Sequence, residues 1–181
     1  EAKYNLGING WGHWDMTWRM LIEMEKILLD ELPDVVFIQW DTNTVLAGWL
    51  TAAKIHGIKV AHVEAWLRSY DRTMPEEINR IVADHLSDYL FCPTELQKRI
   101  ALWEGINKEK IFVTGNTIVD IVYLISSQIN WHEDEYLSNF RVKNWEYILF
   151  TTHRPSNVDD EKSLRNLLEW MESIRETSCK V

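Results

Sequence analysis

The chain of 181 residues predicts an α/β fold built on a parallel sheet. Two observations carry that expectation: short apolar runs alternate with segments of helical periodicity, and the connections between them are brief. Such alternation implies parallel strands joined by right-handed crossovers, a Rossmann-like sheet.

The elements follow in order. Residues 1–12 lack periodicity and read as loop. From Asp15 to Leu32, Met20, Leu21, Met24, Ile27 and Leu28 recur at helical spacing, and Pro33 ends the helix. DVVFIQ (34–39) is a buried strand. Residues 42–56 read as a helix closed by Gly57, and 58–63 as the next strand. A polar loop fills 65–74. Pro75 sits in the first turn of a helix running to about Asp88. YLFC (89–92) is a strand, 93–105 a helix ending at Gly105, 110–114 a strand and 117–128 a helix. Residues 129–144 are polar and irregular. A strand is expected at 147–152 and a last helix at 160–176. The organisation expected is a partial Rossmann-like domain over 1–128, a linker over 129–144, and the start of a second domain over 145–181. The first residues include no Met, and both ends read as cut.

Composition narrows the function. The formal charge of -9 argues against a nucleic-acid partner, which needs a basic face, yet leaves room for a small anionic ligand. The two cysteines, Cys92 and Cys179, show neither metal spacing nor a disulfide framework and fit a reducing compartment. No apolar run approaches the ~20 residues of a membrane span.

In open parallel sheets, ligands sit beyond the carboxyl ends of the strands. There the chain places Asp41, Glu64, His153 and Arg154. Each has a plainer reading: Asp41 as a helix cap, Glu64 as a surface acid, His153 as a structural histidine. In PEEINR, Glu76 and Arg80 are four apart and share a helix face, which alone suggests a surface ion pair. That helix start follows the loop from Glu64, however, and its free N–H groups suit a phosphate. Carboxylates, a histidine and arginines on one rim point to proton transfer on an anionic substrate. There is no P-loop, G-x-G-x-x-G or nucleophile elbow.

The strings PDVVFIQWDTNTVLAG, VAHVEAWLRSYDRTMPEEINRIVADHLSDYLFCPTE, KIFVTGNTIVD and ILFTTHRPSNVD occur in order. Together they resemble the non-hydrolysing UDP-N-acetylglucosamine 2-epimerases over nearly the whole chain. The resemblance implies two Rossmann-like domains in a glycosyltransferase-B-like arrangement. It implies interconversion of UDP-GlcNAc and UDP-ManNAc through a 2-acetamidoglucal, with no metal or nicotinamide cofactor. It assigns Asp41, Glu64 and Glu76 as the acid/base set, and His153 and Arg80 as contacts to substrate or departing UDP. Arg68, Arg154 and Asn116 join the substrate-binding set. It further implies a homodimer in the cytoplasm supplying polysaccharide precursors. Ser156 departs from the family's glutamate, and the family's basic G-T-R-P-E loop and most of its second domain have no counterpart here, so the fragment alone is expected to be inactive. Neighbouring readings are an epimerase for another UDP-sugar, a hydrolysing form, a non-catalytic UDP-sugar-binding module, and a glycosyltransferase of the same architecture.

Ten tryptophans stand against seven glycines. Trp40 and Trp66 occupy family glycine positions beside Asp41 and Glu64, and Trp14 and Trp18 repeat the pattern. An indole there fills space where backbone should approach the sugar nucleotide. The pattern reads as glycine codons decoded as tryptophan, as happens when UGA is assigned by the wrong code, the alternative being genuine tryptophans in a diverged paralogue; UGG codons at 40 and 66 would exclude the first reading.

Overall fold

A computed structural model of the chain describes residues 2–10, 12–128, 137–143 and 147–176. Residues 129–136 and 144 of the expected linker, Trp131 among them, lie outside the described residues, as do Trp145, Glu146 and Cys179. The chain divides into two compact units, Glu1–Ser126 and Ser127–Val181.

The first unit follows the expected alternation. Helix α1 (His13–Glu31) leads into β1 (Val35–Gln39), α2 (Asn43–Ala52), β2 (Lys59–Val63), α3 (Pro75–Leu86), β3 (Tyr89–Cys92), α4 (Glu95–Trp103), a 3-10 turn (Lys108–Lys110), β4 (Ile111–Val113) and α5 (Thr117–Gln128). The four strands are parallel and pair in sequence order, β1-β2-β3-β4. Val35 opposes Lys59 and Gln39 opposes Val63, so β1 and β2 end level with one another. That register brings the residues after Gln39 and Val63 to one rim.

The core has two parts. Ile38, Val45, Trp49, Ala52, Ile58, Val60 and Ala83 join the β1–β2 side of the sheet to α2 and α3. Ala65, Trp66, Leu90, Cys92, Ala101 and Ile111 form the second around β3, β4 and α4. Each aliphatic side chain removed from water there contributes roughly 1.5–3 kcal/mol. Two buried indoles, Trp49 and Trp66, have no partner for Nε1, a cost for a polar group taken out of water.

Local chemistry sets the helix starts. Thr42 caps α2 by accepting from Val45 N at 3.4 Å. Thr94 caps α4 by accepting from Leu96 N at 3.1 Å. Helix α3 has no side-chain cap; Pro75 starts it, and Glu76 and Glu77 meet its positive end. Helix α2 stops at Ala52, short of the expected 56, and passes through turns to Gly57 at φ 93°.

The second unit contains α6 (Pro155–Val158) and α7 (Glu161–Glu176). Asp160 accepts from Ser163 N at 2.8 Å and so caps α7. The strand expected at 147–152 is not formed: Tyr147 makes an isolated bridge, and 148–154 have no regular structure. A strand persists only beside hydrogen-bonding neighbours. None accompanies it among the described residues of this unit, and Leu149 is 87% exposed.

Candidate active site

The rim above β1 and β2 is shaped by backbone that turns the wrong way for ordinary residues. Trp40 has φ 72°, Glu64 66° and Trp66 66°, all in the left-handed region. A side chain with a Cβ is disfavoured there by roughly 1–2 kcal/mol, and such strain collects at functional sites. Positions 40 and 66 thus have the backbone that glycine adopts freely. Trp14 and Trp18 instead lie within α1 and show no such constraint.

A small cavity of about 50 Å³ opens at this rim, lined by Trp40, Asp41, His62, Glu64, Leu67 and Arg80. It has room for a few water molecules. Asp41 and Arg80 form a short ion pair, with side chains 26% and 16% exposed. Because Thr42 does the capping, the Asp41 carboxylate is not consumed by α2. The second ion pair of Arg80 runs to Glu77 at 3.3 Å, not to Glu76 as the four-residue spacing suggested. Glu76 is half-buried on the first turn of α3. Glu64 is half-buried, and Asn116 Nδ2 approaches its Oε1 at 3.5 Å. The side-chain Oδ1 of Asn116 also accepts from Ile118 N at 3.0 Å at the start of α5. Asp41, Glu64, Arg80 and Asn116 are therefore placed at this end of the sheet. His153 and Arg154 are exposed in the second unit, in the irregular segment before α6.

Arg68 is a correction. Its side chain is 3% exposed and paired with the fully buried Asp84, Nη1 to Oδ2 at 2.5 Å. Its guanidinium stacks over Trp66, 4.7 Å from the ring centre. It is an internal cation with no surface to offer a substrate.

The structure adds residues that the sequence reading passed over. Glu77 is buried, and its carboxylate accepts from Ser69 N, Ser69 Oγ and Tyr70 N, each at 3.0 Å. Burial works to raise its pKa, but those hydrogen bonds and the Arg80 charge prevail and hold it below the usual carboxylate value. Glu77 thus ties the loop after Glu64 to α3. Asn79 Nδ2 donates to the Asp41 carbonyl at 2.9 Å. His62 and Asp84 form a buried pair, Nδ1 to Oδ1 at 2.7 Å. One signal in the sequence pointed to two of them: Glu77 and Asp84 share with Arg80 the i, i+3, i+7 spacing of one helix face.

A larger cavity, about 440 Å³, lies between α1, β1 and α2. Its lining, which includes Leu6, Met24, Ile27, Val36 and Phe37, contains no charged side chain. It offers no acid/base chemistry. Among the described residues no group of three or more His, Cys, Asp or Glu could hold a metal ion. No described helix is long and apolar enough to cross a membrane.

The parallel sheet, with carboxylates and an arginine at the ends of adjacent strands, defines an α/β protein of the kind that acts on small anionic ligands. Comparison with known proteins makes this specific: the chain belongs to the UDP-N-acetylglucosamine 2-epimerase family, whose model matches residues 1–181. It is 51% identical over 178 residues to the UDP-N-acetylglucosamine 2-epimerase of Methanocaldococcus jannaschii, covering 97% of this chain and 48% of that protein. A crystal structure of the M. jannaschii enzyme with UDP-GlcNAc and UDP superposes with TM-score 0.89, over 100% of this chain and 49% of the other. The Neisseria meningitidis enzyme bound to UDP-GlcNAc, 32% identical, gives 0.82 over 96% and 49%. A Pseudomonas aeruginosa UDP-2,3-diacetamido-2,3-dideoxy-D-glucuronate 2-epimerase is 38% identical over 178 residues, 97% of this chain and 48% of that protein. The chain spans about half the length of these relatives.

Proposed function

We propose that the complete protein containing this chain interconverts UDP-GlcNAc and UDP-ManNAc. The observation that carries this reading is the convergence of Asp41, Glu64 and Arg80 on one cavity at the ends of β1 and β2. A carboxylate removes the proton from C2 while the C1–O bond to UDP breaks, leaving a 2-acetamidoglucal. UDP then adds back at C1, and a second acid delivers a proton to the opposite face of C2. Asp41, Glu64 and Glu76 form the acid/base set, with two carboxylates needed because the proton leaves one face and arrives at the other. Arg80 and His153 stabilise the charge that grows on the departing diphosphate, and Arg154 and Asn116 contact the substrate. We further infer a homodimer in the cytoplasm, with a UDP-sugar as its ligand.

The test is to incubate the complete protein with UDP-GlcNAc in deuterated water and follow both products. UDP-ManNAc carrying deuterium at C2 is the expected result. Free N-acetylmannosamine would instead indicate a hydrolysing enzyme, and UDP binding without C2 exchange a non-catalytic module. The Pseudomonas relative favours one second reading, epimerisation of another 2-acetamido UDP-sugar. Comparing kcat/KM for UDP-GlcNAc and a diacetamido glucuronate analogue decides between them.

A further inference from the structure

We propose that His62 and Asp84 are positioning residues that fix the two left-handed bends carrying Asp41 and Glu64. The inference rests on the epimerase reading for its catalytic consequence, though not for its structural content.

The geometry is closed on every side. His62 Nδ1 meets Asp84 Oδ1 at 2.7 Å, and His62 Nε2 meets the Trp40 carbonyl oxygen at 2.9 Å. A backbone carbonyl can only accept. Asp84 also accepts from Trp66 N, at 3.1 Å to each of its oxygens, and from Arg68 Nη1. Asp84 is thus the shared acceptor of this network. His62 Nε2 therefore donates to the Trp40 carbonyl, while Nδ1 is engaged by Asp84. His62 is 1% exposed and Asp84 0%. The other charges around them are Arg68, which Glu104 approaches at 3.5 Å from α4, and Asp41, Glu64 and Arg80, which line the cavity with His62.

Each contact lands on a bend. The His62 bond holds the carbonyl of Trp40, the residue before Asp41, at φ 72°. Asn79 holds the next carbonyl, that of Asp41 itself. Asp84 holds the amide of Trp66, two residues after Glu64, where both residues have φ 66°. One buried carboxylate thus sets the backbone on both sides of the cavity. Left-handed backbone at residues bearing a Cβ persists only where surrounding contacts over-determine it. A hydrophobic replacement could fill the same volume without supplying these bonds.

Two measurements test this. The first is nitrogen-detected NMR of histidine-labelled wild-type protein at neutral pH. His62 Nε2 should have a protonated-type shift, as a donor to the Trp40 carbonyl; an unprotonated Nε2 overturns the proposal. The second compares two variants of the complete protein. In His62→Gln the amide reaches the position of Nε2 and can still donate to the Trp40 carbonyl. In His62→Asn the amide sits near Nδ1 and keeps only Asp84. His62→Asn should lower kcat on the order of 10²-fold with KM little changed, as expected when a reacting group is misplaced, and His62→Gln should retain clearly more. Equal losses of kcat, or a change confined to KM, overturn it. If either variant fails to fold, the NMR result stands as the test. If wild-type protein leaves UDP-GlcNAc unchanged, the functional reading fails while the NMR result still judges the network.

Discussion

Trp40 offers a test in which the sign of the result decides. At an ordinary position, replacing glycine by alanine stabilises a protein by roughly 0.4–1 kcal/mol, because alanine has less freedom to lose. Position 40, at φ 72°, should reverse that order. Trp40→Gly and Trp40→Ala both remove the same half-exposed indole, so the burial lost is common to both and cancels in the comparison. Alanine keeps the Cβ that conflicts with a left-handed backbone, a cost of roughly 1–2 kcal/mol. Subtracting the entropic advantage of alanine, midpoint from midpoint, leaves Trp40→Gly more stable by about 0.8 kcal/mol. For a unit of this size that separates the melting temperatures by roughly 3 °C. Thermal unfolding followed by circular dichroism on the two variants reads the difference. A Trp40→Ala protein as stable as Trp40→Gly, or more so, would refute the argument.

Other expectations follow from named groups. Glu77→Gln should cost roughly 2–3 kcal/mol at pH 7, since it weakens charge-assisted bonds to Ser69 and Tyr70. Because the folded pKa of Glu77 is depressed, its contribution is full above the ordinary carboxylate pKa and fades as pH falls through the folded value. Denaturant melts of both proteins at pH 7 and near pH 3 should therefore converge at the lower pH. Burial, aided by the Asp84 charge, pushes the Cys92 thiol up to about 12. Iodoacetamide at pH 8 should leave Cys92 unmodified in native protein and label it after denaturation, as mass spectrometry of the peptides will show. Glu64→Gln in the complete protein should remove most turnover of UDP-GlcNAc with an unchanged melting curve; wild-type activity would remove Glu64 from the acid/base set. Asp160→Ala should destabilise α7 by ~1 kcal/mol, measured as lost helicity.

The sheet of the first unit and its rim were legible because both depend on local patterning. Apolar runs marked β1 to β4 within a residue or so, and the rule that ligands sit at carboxyl strand ends led directly to Asp41 and Glu64. What escaped was decided by distant partners. The apolar run at 147–152 looked like any strand, but nothing in a one-dimensional pattern says whether a neighbour is present to pair with it. Arg68 lies two residues from Trp66 and looked like a rim cation. Only the arrival of Asp84, sixteen residues later, draws it inside. Glu76 and Glu77 are adjacent and alike in sequence; a rotation of about 100° along the helix leaves one half-buried and buries the other. The tryptophans at 40 and 66 were conspicuous by composition, and the backbone there supplies the physical reason.

The sharing of Asp84 between His62, Arg68 and the Trp66 amide also constrains how this lineage can change. Deleting the carboxylate alone would strand the Arg68 guanidinium and leave the His62 ring and the Trp66 amide without their acceptor, whereas deleting Arg68 leaves a buried carboxylate without its cation. Single steps away from the arrangement are therefore steep, and only a concerted exchange of several side chains for apolar ones is shallow. Positions 62, 68 and 84 should then drift as a block. A descendant that abandoned the chemistry would be expected to lose all three together, leaving a quiet hydrophobic wall where the charges had been.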